Sequence, residues 1–217
     1  ENIMIQTNII EAARKFDVKK LIFLCSSNVY PKNVTQPIKE EFLFNGQLDS
    51  ATSAYSMAKL AGIEMCKAYK KQYGSNFITA ITCNVYGEND NFSLTDGQVI
   101  PIFIHKFHNA KINNISQVEV YGDGCSKREF IHSYDLADAL LFLMKNYDSS
   151  VPINIGTNVD VSISFLAKMI KDITRFQGEI IWNRNLPTGI NKKLLDSSNI
   201  KNLGWEPSIK LDEGIIQ

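Results

Sequence analysis

Two short apolar runs, Leu21-Ile22-Phe23-Leu24-Cys25 and Phe77-Ile78-Thr79-Ala80-Ile81-Thr82-Cys83, neither alternate with polar residues nor reach helical length. Runs of this kind fit strands buried on both faces of a parallel sheet, because parallel crossovers place helices over both sides. Each run ends abruptly, the first in Ser26-Ser27-Asn28 and the second in Asn84 and the turn around Gly87. Ligands of open α/β sheets bind outside the carboxyl ends of the strands, so both polar ends mark an expected site. Taken singly, each is equally well an ordinary cap or turn.

Helical spacing surrounds these strands. Ile5, Ile9, Ala12, Ala13 and Phe16 share one face of a helix over residues 3–16. Further helices are expected over 55–73, with Thr52 or Ser53 as N-cap, and over 100–111, 134–147 and 163–174. Strands are expected over 118–121 and 179–182, and Gly122-Asp123-Gly124 forms a turn. Strands alternating with helices predict an α/β fold with a parallel sheet covered on both faces. Residues 31–53 form a loop long enough to suggest function, and 90–97 form a second loop.

Composition narrows the function classes. Lys+Arg and Asp+Glu each number 23, so the charges cancel and no polybasic arm for nucleic acid is present. No apolar run approaches the ~18 residues of a membrane span, and Glu1, Glu11, Arg14 and Lys15 interrupt anything like a signal peptide. Cys25, Cys66, Cys83 and Cys125 lack Cys-x-x-Cys spacing, so neither a disulfide framework nor a zinc site is expected. His105 and His108 stand three apart without an acidic third ligand, which fits a solvated helix face better than a metal site. The expectation is a soluble, cytoplasmic chain without metal, membrane or nucleic-acid partner.

The chemistry centres on Tyr55 and Lys59, four apart on one helical face. A phenol has a reference pKa of ~10, and a nearby ammonium is expected to lower it. A hydroxyl such as Ser26 would steady a carbonyl oxygen while Tyr55 protonates it. These roles suit reduction of a ketone by hydride, or the reverse oxidation. The pair alone is a weak signal, better read as a half-buried tyrosine and a solvated lysine; its setting, a strand ending in two serines and then a long loop, strengthens it.

Ser26-Ser27-Asn28-Val29-Tyr30-Pro31, Tyr55-Ser56-Met57-Ala58-Lys59 and Asn84-Val85-Tyr86-Gly87 resemble the signatures of extended short-chain dehydrogenases/reductases acting on nucleotide sugars. The likeness extends through Asn89–Phe92, Val99-Ile100-Pro101, Lys127–His132, Ile153–Gly156 and Lys192–Asp196, and within that family it is nearest the GDP-L-fucose synthases. The resemblance implies a doubly wound, Rossmann-type domain with a smaller α/β substrate domain. Residues 1–100 and 133–160 would belong to the first, and 101–132 and 161–217 to the second. It implies NADP (NADPH) as cofactor, a nucleotide sugar as substrate, and a homodimer formed through segments 1–16 and 55–73. Ser26, Tyr55 and Lys59 match the catalytic triad, with Tyr55, Lys59 and Asn84 also at the cofactor. Asn28, Asn84, Gln98, Val99, Lys106, Tyr121, Arg128 and Lys193 match substrate-side positions. The alternative for Arg128 is an ion pair with Glu129 or Asp135.

Two departures matter. Relatives that also epimerise carry a cysteine and a histidine where this chain has Asn28 and Gln98. Neither carboxamide titrates near neutrality, so neither relays protons. The expected activity is therefore reduction of the C4 ketone of a GDP-linked deoxysugar or heptose, without efficient epimerisation. The alternatives are a full epimerase/reductase in which Tyr30 or His132 relays the proton, a dehydratase or 4-epimerase, a non-catalytic scaffold, and an inactive gene product. No Gly-rich strand-turn-helix precedes Leu21. The chain thus reads as the C-terminal two-thirds or so of a longer protein, expected alone to bind NADP(H) weakly and to expose an unpaired strand edge.

Overall fold

The computed structural model describes residues 1–185 and 190–217. The chain runs α1 (Asn2–Lys15), β1 (Leu21–Ser26), α2 (Ser53–Tyr73), β2 (Phe77–Thr82), β3 (Asn84–Tyr86), α3 (Val99–Ile112), β4 (Gln117–Tyr121) and β5 (Lys127–His132). It continues α4 (Ser133–Asn146), β6 (Ile153–Ile155), β7 (Asp160–Ser162), α5 (Ile163–Thr174), β8 (Glu179–Asn183), β9 (Lys192–Lys193), α6 (Ser198–Asn202) and α7 (Leu211–Ile216). The expected helices and strands all form, and α5 matches its predicted bounds.

β1, β2 and β6 make a parallel sheet in which Leu21 pairs with Phe77 and Ser26 with Thr82. Every residue of β2 is buried, as its unbroken apolar run requires. β1 departs from the expectation. It is the outer strand of this sheet, and Leu24 is 36% exposed. A second sheet joins β3 and β9 parallel to β5, with β7 antiparallel. β4 and β8 form a parallel pair of their own.

Two apolar cores result. One packs Phe23, Ile63, Phe77, Ile81, Leu143 and Ile155 between α1, α2, α4 and the first sheet. The other packs Phe103, Phe107, Val120, Leu166, Ile170 and Phe176 around α3 and α5. Each fully buried side chain of this size contributes ~1.5–3 kcal/mol. Helix α2 lies tight on β1 because Gly62 has no side chain: a methyl there would overlap the Phe23 ring. Gly74, at φ 72°, ends α2 in the left-handed region and returns its N–H to the Lys70 carbonyl.

Buried polar groups tie the loops to this frame. The Asn154 side chain accepts from the Tyr30 hydroxyl at 2.7 Å and donates to the carbonyls of Ile38 and Asp196 at 2.9 and 3.1 Å. Asp135 accepts from the backbone of Ser208 and Ile209 and from the Ser208 hydroxyl. The long 31–52 segment is thereby anchored, with Ile38 bridging to Leu195.

Candidate active site

Ser26 closes β1, and the chain turns at once into a short 3-10 segment, Ser27–Val29. The Ser26 hydroxyl caps that turn, accepting from the Asn28 N–H at 3.3 Å. Tyr55 stands in the first turn of α2 beside Ser26, with 37% of its surface exposed. Burial raises the phenol's pKa, and the Ser26 hydroxyl pulls it partly back. Lys59 follows one turn later, its Nζ 6.0 Å from the centre of the Tyr55 ring and 5.0 Å from that of Phe23. Ser26, Tyr55 and Lys59 therefore converge at the carboxyl end of β1.

One expectation is reversed. The phenol is raised rather than lowered, because the ring loses water while the Lys59 ammonium donates to the Leu24 carbonyl at 3.1 Å. At neutral pH Tyr55 holds its proton, the state a proton donor needs. Cys25, next to Ser26, is not a competing nucleophile, since burial pushes its thiol up to about 12.

A cavity of about 390 Å³ opens between β3, β4, β5 and the first turns of α3; Ser26, Tyr55 and Lys59 are not among the residues that line it. Asn84, Gln98, Val99, Lys106, Tyr121 and Arg128 all line it. Asn84 is held by its Nδ2 donating to the Glu129 carbonyl at 2.9 Å. Lys106 lies 4.8 Å over the Tyr121 ring and donates to the Glu119 carbonyl at 2.8 Å, so a cation and an exposed aromatic face form one wall. Gln98, at the N-cap of α3, makes no capping hydrogen bond with its side chain.

Arg128 makes no salt bridge among the described residues; its guanidinium donates only to the Lys127 carbonyl, at 2.8 Å. The alternative of an ion pair with Glu129 or Asp135 is not realised. Glu129 is fully buried and accepts from the backbone N–H groups of Thr157, Asn158 and Leu195. Asp135 is committed to Ser208 and Ile209. Lys193 pairs with Arg128 in the β5–β9 register and reaches the other cluster, donating to Asn28 Oδ1 at 2.5 Å. Burial and the neighbouring Arg128 lower Lys193 to about 8, while Asp49 from the 31–52 segment opposes the shift. The sequence also leads one to expect residues 183–193 at the sugar pocket; of these, 186–189 lie outside the described residues.

Tyr30 and His132, the alternative proton relays, face the cores. Tyr30 is 2% exposed and bound to Asn154; His132 is 1% exposed, packed against the rings of Tyr86 and Tyr134. Ser56 was not anticipated: fully buried, it donates to the Asn28 carbonyl at 2.8 Å and pins the turn to α2. A small hydroxyl residue on the inward side of the helix start was its only signal. Among the described residues no group of three His, Cys, Asp or Glu could hold a metal ion, and no helix is long and apolar enough to cross a membrane.

Residues 1–156 match the profile of the NAD dependent epimerase/dehydratase family. The chain belongs to that family. Among its members, a probable GDP-L-fucose synthase 1 of Oryza sativa subsp. japonica is 44% identical over 217 residues, covering 100% of this chain and 66% of the rice protein. The chain thus spans about two thirds of that relative's length. A GDP-6-OMe-4-keto-L-xylo-heptose reductase from C. jejuni superimposes with a TM-score of 0.94 at 37% identity, covering 99% of this chain and 73% of that one. A GDP-mannoheptose C4 reductase from Campylobacter jejuni, solved with NADP bound, gives 0.89 at 38%, with the same coverage. These family members share the α/β architecture and parallel strands described above.

Proposed function

We propose that this chain supplies the catalytic and sugar-binding part of an NADPH-dependent reductase acting on the C4 ketone of a GDP-linked deoxysugar or heptose. One observation carries the reading: Ser26, Tyr55 and Lys59 gather at the end of β1, and Asn28, two residues on, is tied through Lys193 to the strand pair carrying Arg128, a cavity-lining guanidinium that meets no carboxylate among the described residues. The names of the rice and Campylobacter relatives agree with it.

The residues present fit the nicotinamide-ribose end of the cofactor. Lys59 offers an ammonium with no carboxylate partner among the described residues, at a groove shared with Leu21–Leu24, Ile5 and Gln6, with the centre of the Tyr55 ring 6.0 Å from it. NADPH supplies the hydride when bound. Tyr55 hands its phenolic proton to the ketone oxygen, which takes on negative charge as the carbon is reduced. The Ser26 hydroxyl donates to that same oxygen. Arg128 suits diphosphate oxygens through its forked donors, and Tyr121 offers a stacking face for a base.

Asn28 and Gln98 cannot exchange protons on the carbons flanking the ketone. The substrate is therefore reduced without inversion. We place the reaction in the cytoplasm, consistent with four free thiols, and the working unit as a homodimer. Ile3, Met4, Ile5 and Ile9 leave α1 with an exposed apolar face that fits such an interface. We assign the part around β1, β2 and β6 to the cofactor and the part around α3 and α5 to the sugar; the two apolar cores support this, with Leu195, Ile200 and Trp205 packing into the first and Tyr86 and Ile100 into the second.

The test is incubation of the whole protein with NADPH and GDP-4-keto-6-deoxymannose or a GDP-4-keto heptose in deuterated water. NADPH oxidation, with no deuterium at C3 and C5 of the product, supports the proposal. No oxidation with either sugar overturns the reductase; rapid deuterium uptake at both carbons overturns reduction without inversion and favours the full epimerase/reductase.

A further inference from the structure

Asn28 is held from three directions. Its N–H donates to Ser26 Oγ at 3.3 Å, its carbonyl accepts from Ser56 Oγ at 2.8 Å, and its Oδ1 accepts from Lys193 Nζ at 2.5 Å. An ammonium has donors only, so the carboxamide must turn its oxygen toward Lys193 and its NH2 away. Nothing among the described residues accepts from that NH2. The carboxamide thus keeps two N–H donors without a protein acceptor among the described residues, two residues beyond Ser26.

We propose that Lys193 is a positioning residue that sets Asn28 as a hydrogen-bond donor to the hydroxyl oxygen on a carbon next to the substrate ketone. The inference rests on the reductase reading and gives it a specificity element. A fixed donor selects the configuration in which that oxygen points at it, and a carboxamide cannot change that configuration. Any inversion beside the ketone is then the work of a separate epimerase that supplies this enzyme's substrate. Lys193 also couples the two halves of the site: its backbone pairs with that of Arg128 at the cavity wall, while its side chain ends at the catalytic turn.

The experiment is steady-state kinetics of the whole protein with whichever GDP-4-keto sugar the wild type reduces better, alongside thermal unfolding of each variant. Asn28→Asp keeps an acceptor for Lys193 but removes the donor, and is expected to raise KM by about tenfold, one hydrogen bond's worth, with Tm unchanged or higher. Lys193→Met is expected to raise KM by a similar factor, Lys193→Arg to stay within about threefold, and Asn28→Ala combined with Lys193→Met to be no worse than Asn28→Ala alone. A KM for Asn28→Asp within about twofold of wild type would overturn the inference, as would single effects that multiply in the double variant. If the wild type reduces neither sugar, the reductase reading itself fails; if it reduces one and the variants keep its KM, only this inference fails.

Discussion

The Lys59 ammonium donates to the Leu24 carbonyl at 3.1 Å while lying 6.0 Å from the centre of the Tyr55 ring. The lysine is thereby tethered to the strand that carries Ser26, and the phenol beside it stays protonated through the neutral range because burial raises its pKa. Loss of the proton donor should show mainly in kcat. Tyr55→Phe is expected to lower kcat by ~10²–10⁴-fold with KM for the nucleotide sugar little changed, measured by NADPH oxidation.

Arg128 is expected to act in binding instead. It lines the cavity, and its guanidinium meets no carboxylate among the described residues. Arg128→Gln should raise KM for the nucleotide sugar by ~10–100-fold, with a smaller change in kcat, since charge-assisted hydrogen bonds are worth ~1.5–3 kcal/mol. The wild-type KM should also rise with ionic strength, and the variant's should rise less.

Gly62 connects packing to the site. A methyl group there overlaps the Phe23 ring, and the Lys59 ammonium rests 5.0 Å from the centre of that ring. Gly62→Ala is therefore expected to destabilise the fold by ~1–3 kcal/mol, as overpacking does. It should lower kcat as well, through the displaced lysine. Urea unfolding and kinetics on the same preparation check both effects.

Glu129 gives a pH signature in stability. Burial raises its carboxyl from 4.5 to about 7, against the pull of its hydrogen bonds to Leu195, Asn158 and Thr157. Between those two values the folded state binds more protons than the unfolded one. Its contribution is therefore fully present below 4.5 and is lost as the pH rises through about 7. The difference caps this loss at ~3–4 kcal/mol, at ~1.4 kcal/mol per unit. Glu129→Gln should remove this slope between pH 4.5 and about 7 in chemical unfolding, relative to wild type. Lys193, lowered from 10.5 to about 8, works the other way at higher pH: its cation is costly in the fold, so its contribution improves as the pH climbs from about 8 toward 10.5.

What could be read from order along the chain was local. The apolar runs at 21–25 and 77–83 announced β1 and β2, and four-residue spacing alone put Tyr55 and Lys59 on one side of α2. The polar ends of those strands marked the site, because a parallel sheet leaves its strand ends open. β3, β5, β6, β7 and β9 were not legible. They are two to six residues long, and strands such as Lys127–His132 and Lys192–Lys193 carry charge and owe their form to partners far along the chain. The reversed shift of Tyr55, the lack of a carboxylate at Arg128 among the described residues and the grip of Lys193 on Asn28 belong to the same class. Hydrophobic periodicity and helical register are properties of neighbouring residues. Desolvation and hydrogen bonding between positions 165 residues apart exist only once packing has excluded water and brought the groups together.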